Sequence, residues 1–264
     1  MTMRKLSILI CAISLLLWSC EKEDITPLDK SVNGLLVQVS VIDALLQGIY
    51  DGVMPIGNLL EYGDFGIGTF HALNGEMIVL NDTVFQVLST GAVVKPSGDA
   101  TTPFAAVTAF AADTTFALKE ISYDSLKANF NNYFPTPNLF YAVKMKGEFS
   151  YMKTRSVPAQ SIPYPPLAEV TKTQPEFEFN QVAGEIVGFY CPAYAQGLNV
   201  TGLHLHFLTA DRTGGGHILA FEITNATLEI GYLPEFKLIL PTSGDFLGGD
   251  FTIDRTDDLE EAEN

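Results

Sequence analysis

Cysteine is nearly absent from this sequence. Of three in 264 residues, Cys11 and Cys20 fall in the first twenty, and only Cys191 lies in the body of the chain. An intramolecular disulfide is therefore excluded once the N-terminal segment is removed. Cys191, beside Pro192, reads as a small buried hydrophobe. Basic residues are also in short supply. Fifteen Lys and Arg stand against 31 Asp and Glu, giving a formal net charge of −16. Such a surface repels phosphate backbones, which excludes nucleic acid as a partner. Several site signatures are missing too: there is no G-x-S-x-G, P-loop or C-x-x-C. Gly63-Asp64-Phe65-Gly66-Ile67-Gly68 is glycine-rich but lacks dinucleotide-binding spacing, and Asp64 between glycines reads as a turn former.

What is present begins with a leader. Arg4 and Lys5 precede an apolar stretch, Leu6 to Trp18, too short to span a bilayer as a stable helix but suited to a secretory signal. It ends in Leu17-Trp18-Ser19-Cys20, which resembles a bacterial lipobox. Residues 1–19 are read as a lipoprotein signal peptide and Cys20 as its lipid site. Residues 20–34 form a tether, and the mature chain is exported and anchored on a membrane. Cleavage removes Arg4 and Lys5 and no acid, taking the net charge from −16 to −18.

The whole chain is 47% hydrophobic and 17% charged, enough apolar material for a sizeable core. Leu35 to Val39 predicts a strand. Ser40 then stands as N-cap, with Asp43 three residues on, for a helix ending near Asp51-Gly52. Turn pairs at Asn74-Gly75, Asn81-Asp82 and Thr90-Gly91 break Thr69 to Val94 into an antiparallel meander. Phe104 to Phe110 reads as a strand. Leu126, Phe130 and Phe134 recur at helical spacing before Pro135. Leu139 to Met145 and Phe149 to Arg155 read as a hairpin around Lys146-Gly147. The proline-rich stretch from Ser156 to Leu167 marks a crossing between an N-terminal sheet domain (35–157) and a C-terminal metal-binding domain (158–264). In the second half, Leu167–Val170 reads as helical. Strands are expected at Val182–Phe189, Leu198–Leu208, Ile218–Ile223, Thr227–Tyr232 and Phe236–Leu240, with a short acidic helix after Asp254. The fold class is mixed α/β, sheet-dominated, in two similar domains.

Histidine is scarce but concentrated. Of four, three occur as His204, His206 and His217. Side chains alternate along a strand, so Leu203, Leu205 and Phe207 point into a core while His204 and His206 point together to the other face. The flexible turn Asp211-Arg212-Thr213-Gly214-Gly215-Gly216 can bring His217 back beside them. Three imidazoles with no fourth protein ligand match a catalytic zinc site, although imidazole also suits iron, nickel and copper. His71 lacks such company and reads as an ordinary hydrogen-bonded residue. Taken alone, Glu76 reads as a solvated hairpin residue and Arg155 as a surface cation.

Several motifs in register change that reading. Tyr62 to Phe70, Leu73-Asn74-Gly75-Glu76, Asn138 to Ala142, Lys153 to Val157, Lys172-Thr173-Gln174-Pro175, Gly188 to Ala195 and the histidine block resemble the alpha-acetolactate decarboxylase family. The resemblance runs from about residue 36 to the C-terminus. It implies conversion of 2-acetolactate to acetoin and CO2 through a metal-stabilised enediolate, a Zn2+ cofactor on His204, His206 and His217, and a homodimer. It places active-site roles on Glu76 and Arg155, puts Thr69 among the lining residues, and implies a second glutamate near the C-terminus. Within Glu260-Glu261-Ala262-Glu263 the best match is Glu263. The other readings are a related keto-acid lyase on the same scaffold, or a metal- or small-ligand-binding surface lipoprotein without catalysis.

Overall fold

The computed structural model describes residues 33–263, so the leader, Cys20 and most of the expected tether lie outside the described residues. In chain order the strands are β1 (Leu35–Val39), β2 (Met54–Pro55), β3 (Phe65–Thr69), β4 (Glu76–Leu80), β5 (Thr83–Val87), β6 (Val93–Val94), β7 (Thr101–Thr102), β8 (Ala105–Thr108), β9 (Thr114–Ser122), β10 (Phe140–Arg155), β11 (Glu176–Cys191), β12 (Gly202–Thr209), β13 (Gly215–Leu233) and β14 (Glu235–Ile239). The helices are α1 (Ile42–Leu46), α2 (Ile56–Leu59), α3 (Tyr123–Ala128), α4 (Leu167–Thr171) and α5 (Thr256–Glu263).

The first sheet has the order β14-β1-β8-β3-β4-β5-β6, and its β3-β4-β5-β6 portion is the meander read from the turn pairs. The second has the order β10-β11-β12-β13-β9, and β10 also pairs with β13, closing the sheet on itself. β2 and β7 make a separate two-stranded sheet. The mixed, sheet-dominated class expected from the sequence holds. Strand membership, however, does not divide at 157/158. β9 and β10 of the first half belong to the second sheet, and β14 of the second half runs parallel to β1 in the first.

Alternation explains how the layers stack. On β4, Ile78 and Leu80 face a core shared between the sheets, with Val187, Phe189 and Leu208 opposite. Met77 and Val79 face outward against Ile56, Leu59 and Phe70. On β12, Leu205 and Phe207 enter the interior of the closed sheet with Phe149, Phe221 and Met152. His204 and His206 therefore face the first sheet. Cys191 is fully buried in the core between the sheets, as a hydrophobe would be, and burial pushes its thiol far above the ordinary range.

Five local expectations are corrected. Ser40 does not cap α1: Val41 is the N-cap, and Ser40, at φ +62°, still donates its N–H to Ile239 O at 2.9 Å in continuation of the strand. The first N–H groups of α1 go instead to Leu198 O and Gly197 O, so no side-chain cap is needed. The helix stops at Leu46, before Gly48 at φ +81°, well short of Asp51-Gly52. The helical run 126–134 breaks at Asn129, leaving α3 and a 3-10 turn at Phe130–Asn132. Lys146-Gly147 is no turn but the middle of one 16-residue strand, β10. A Cβ on Gly147 would overlap the backbone of Asn225, so glycine is required there for close strand approach. Likewise Ile218–Ile223 and Thr227–Tyr232 are parts of one strand, β13.

Candidate active site

The site forms where one end of the closed sheet meets β4. His206 on β12 pairs directly with His217 on β13, and His217 pairs in turn with Arg155 on β10. Residues opposed across antiparallel strands project to the same face. One row of the sheet thus carries two imidazoles and a guanidinium, and His204 adds the third imidazole two residues along β12. A register shift between Lys153 and Thr154 leaves Leu219 as an extra residue on β13 beside this row, a bulge that sets its alignment.

The three rings have centroids 5.1 to 5.5 Å apart, and one ligand nitrogen of each lies within 4.8 Å of the other two. All are buried: His204 is 8%, His206 1% and His217 5% exposed. His206 Nδ1 lies 2.9 Å from Met77 O of β4. In the tautomer that donates this bond, Nε2 carries a lone pair, and that Nε2 is buried without a hydrogen-bond partner. An orphaned buried acceptor costs about 1–3 kcal/mol, which a bound cation would recover. Burial, followed by the nearby Arg155 charge, pushes His204 down to about 3. Burial likewise holds His206 and His217 well below their usual value. Three neutral imidazoles with free lone pairs fit a divalent metal by donor chemistry and protonation state alike.

Two carboxylates complete the ring. The Asn74-Gly75 turn, with Gly75 at φ +81°, delivers Glu76 to the start of β4. Thr69 Oγ1 donates to Gly75 O at 2.8 Å and clamps that turn, so Thr69 lines the cavity while fixing Glu76. Glu76 Oε2 lies 3.6 Å from His206 Nε2. Neither Glu76 nor Arg155 is the solvated group its residue type suggested: their side chains are 12% and 5% exposed. Burial raises Glu76 to about 8, with Arg155 opposing and Glu263 adding to the rise.

The ambiguous tail resolves on α5. Asp254 accepts from Thr256 N and Oγ1, starting the helix, and Leu259 and Ala262 bury themselves beneath it. Glu260 points to an outer cavity, and Glu261 pairs with Lys172 at 3.4 Å. Glu263 reaches inward, 3.6 Å from Arg155 Nη2 and 3.5 Å from His217 Nε2. Arg155 Nη1 is left buried without a partner, a vacant donor for an anion.

Asp64 lies outside the cavity and accepts from Phe110 N at 2.9 Å, a long-range contact rather than the local turn bond expected of it. His71 also lies apart, exposed and accepting from Gly52 N at 3.1 Å.

The alpha-acetolactate decarboxylase family model matches residues 36–253. The chain belongs to that family. Among alpha-acetolactate decarboxylases it is similar to that of Methanosarcina mazei, at 45% identity over 91% of this chain and 84% of that protein. It is also similar to that of Methylococcus capsulatus, at 42% over 86% and 88%. The crystal structure of the Bacillus subtilis strain 168 alpha-acetolactate decarboxylase superposes with a TM-score of 0.85 at 36% identity, covering 87% of this chain and 99% of that one. As a member of the alpha-acetolactate decarboxylase family, the chain is an enzyme.

Sequence reasoning missed this decarboxylase-family site's apolar wall. Ile42, Leu45, Leu73, Phe104, Val157 and Leu167 line the cavity opposite the polar groups. Ile42 and Leu45 share a face of α1 at helical spacing, but the others come from separate loops and helices, and no spacing links them to that pair. Ala72 and Leu73 both sit at positive φ, +59° and +57°, a strained pair that turns Leu73 into the cavity.

Two predictions follow from this geometry. The first concerns Glu76. In metal-stripped protein the folded state keeps the Glu76 proton to about pH 8, whereas the unfolded chain releases it near the ordinary value of 4.5. Between those values the unfolded chain binds fewer protons, so this group's contribution to stability falls as pH rises. Glu76→Gln is expected to match the wild-type unfolding midpoint near pH 4 and to exceed wild-type stability by about 2–4 kcal/mol at pH 8, in denaturant titrations of the metal-free proteins. An unchanged difference across that range would rule out a protonated Glu76. The second concerns Gly216, at φ +131°, where a Cβ would overlap Arg155 O. Gly216→Ala is expected to cost more than about 2 kcal/mol and to lower metal content, because it separates β10 from β13 beside His217. Equilibrium unfolding and metal analysis check both effects.

Proposed function

We propose that the chain converts 2-acetolactate to acetoin and CO2, using a zinc ion held by His204, His206 and His217. The observation that carries this reading is the row His206–His217–Arg155, which sets a buried guanidinium with an unpartnered Nη1 beside an imidazole trio. When bound, the ion would supply Lewis-acid stabilisation of the negative charge that develops on the substrate. Arg155 Nη1 takes the carboxylate and fixes the angle of the bond that breaks. As CO2 leaves, its bonding electron pair passes to the adjacent ketone and an enediolate remains. Glu76, or Glu263 on the opposite side, delivers a proton to one face of that species. Burial raises both carboxyl groups above their usual value, Glu76 to about 8, the direction that favours a proton donor. The apolar wall packs against the methyl groups, and the inner cavity of about 50 Å³ suits a small acid rather than a polymer.

The test supplies racemic 2-acetolactate to the purified mature chain and measures acetoin and CO2, with and without chelator. Chelator-sensitive acetoin formation is expected. Metal-loaded protein that yields none would overturn the reading, and the metal recovered from active protein identifies the ion.

Export and anchoring through a lipidated Cys20 belong to the same proposal. The leader residues support them, and among the described residues no helix is long and apolar enough to cross a membrane. Metabolic labelling with fatty acid is expected to mark the wild type and not Cys20→Ala. A homodimer is proposed from the family resemblance and is checked by light scattering.

A further inference from the structure

A second cavity lies directly outside the first. It measures about 500 Å³, ten times the inner one, and the two share His217 and Glu263 as their common wall. Tyr123, Lys127, Lys153, Glu176, Leu259 and Glu260 are among the residues that line its remaining sides. Glu263, with 18% of its side chain exposed, is the more open of the two site glutamates and stands at the junction.

Two cations sit on the two sides of that junction. Lys153 and Arg155 are two residues apart on β10, so they share a face, the first in the outer cavity and the second in the inner one. Their pairing differs. Lys153 Nζ holds Glu176 Oε2 at 2.7 Å, a pair with side chains 29% and 46% exposed. Such a partly exposed pair contributes little, so another carboxylate can displace Glu176 at little cost. Arg155 is buried with one nitrogen unpartnered, so a carboxylate arriving there gains far more. A weak outer cation followed by a vacant inner one gives an anion a downhill path. Lys127 stands on the far rim, paired with Asp124 at 3.0 Å and lying 4.3 Å over the Tyr123 ring. In a chain of net charge −16, an anionic substrate needs such a local foothold.

We infer that the outer cavity is a reception site for small carboxylates, with Lys153 as its anchoring cation and Glu263 as the divide to the inner site. The inference rests on the proposed decarboxylation and names the route by which its anionic substrate arrives. Lys153 touches the substrate before the reaction and not during it, so its removal weakens capture while leaving the chemical step intact.

The test compares steady-state kinetics of metal-loaded wild type, Lys153→Met and Lys153→Arg on 2-acetolactate at two ionic strengths. Lys153→Met is expected to raise KM about fivefold with kcat and metal content unchanged, and to flatten the salt dependence of kcat/KM. Lys153→Arg is expected to restore both. A second variant, Ala220→Phe, narrows the same cavity without touching a charge, since Ala220 also lines it; a fall of about tenfold in kcat/KM is expected. Wild-type KM and salt slope in Lys153→Met, or wild-type kcat/KM in Ala220→Phe, would overturn the route. Absence of turnover in the wild type would instead overturn the proposed decarboxylation, so the two failures are distinguishable.

Discussion

Arg155→Met is expected to lower kcat/KM for 2-acetolactate by about 10³-fold while leaving metal content unchanged. Methionine fills much of the same volume, so the loss isolates charge and hydrogen bonding. The buried guanidinium has one nitrogen 3.6 Å from Glu263 and another with no partner. Among the described residues no other Arg or Lys lines the inner cavity to substitute for it. The three histidines keep their lone pairs without Arg155, and its charge is among the causes that lower each of them. Metal binding should therefore survive and even tolerate mildly acidic buffer less well, because the histidines then protonate more readily. Metal analysis beside steady-state kinetics checks the separation. Loss of metal together with activity would recast Arg155 as a structural partner of the site.

Glu263→Gln is expected to cost about 10²-fold or more in kcat, whereas Glu261→Gln, two residues away, should stay within about threefold of wild type. The contrast follows from where α5 points its acids. Glu261 pairs with exposed Lys172, the kind of surface contact that contributes little. Glu263 enters the ring of Arg155 and His217. Glutamine preserves shape and hydrogen bonding but cannot deliver a proton. Equal effects from the two substitutions would mean that the helix matters only as a cover. The same pair of variants settles which tail acid acts, a question composition alone left open.

How much of this was legible beforehand differs from residue to residue. The histidine trio was readable because strand alternation is a short-range rule and the glycine turn is local. The meander was readable for the same reason, since each of its turns carries its own residue signature. The alignment of Arg155 with His217 was not. It depends on β10 running unbroken through Gly147, which local turn chemistry read as a hairpin; the demand for glycine there comes from Asn225 on a strand nearly eighty residues away. Ser40 misled in the same way: a polar residue before an apolar periodicity looks like a cap, yet the N–H groups of α1 are met by carbonyls at 197 and 198. The family resemblance supplied Glu76 and Arg155 where residue type alone favoured exposed positions. The apolar wall had no sequence signal, since its members converge from α1, α4 and several loops only in three dimensions.

The parallel pairing of β1 with β14 has a consequence for biogenesis. The earliest described strand to leave the ribosome must wait for the latest before its sheet has a finished edge. Long-range pairing of this kind delays commitment to the native topology and keeps backbone donors and acceptors unsatisfied in the meantime. For the export proposed above, such lateness would be an advantage, because a nascent chain without its final strand offers a secretion pore no completed obstacle.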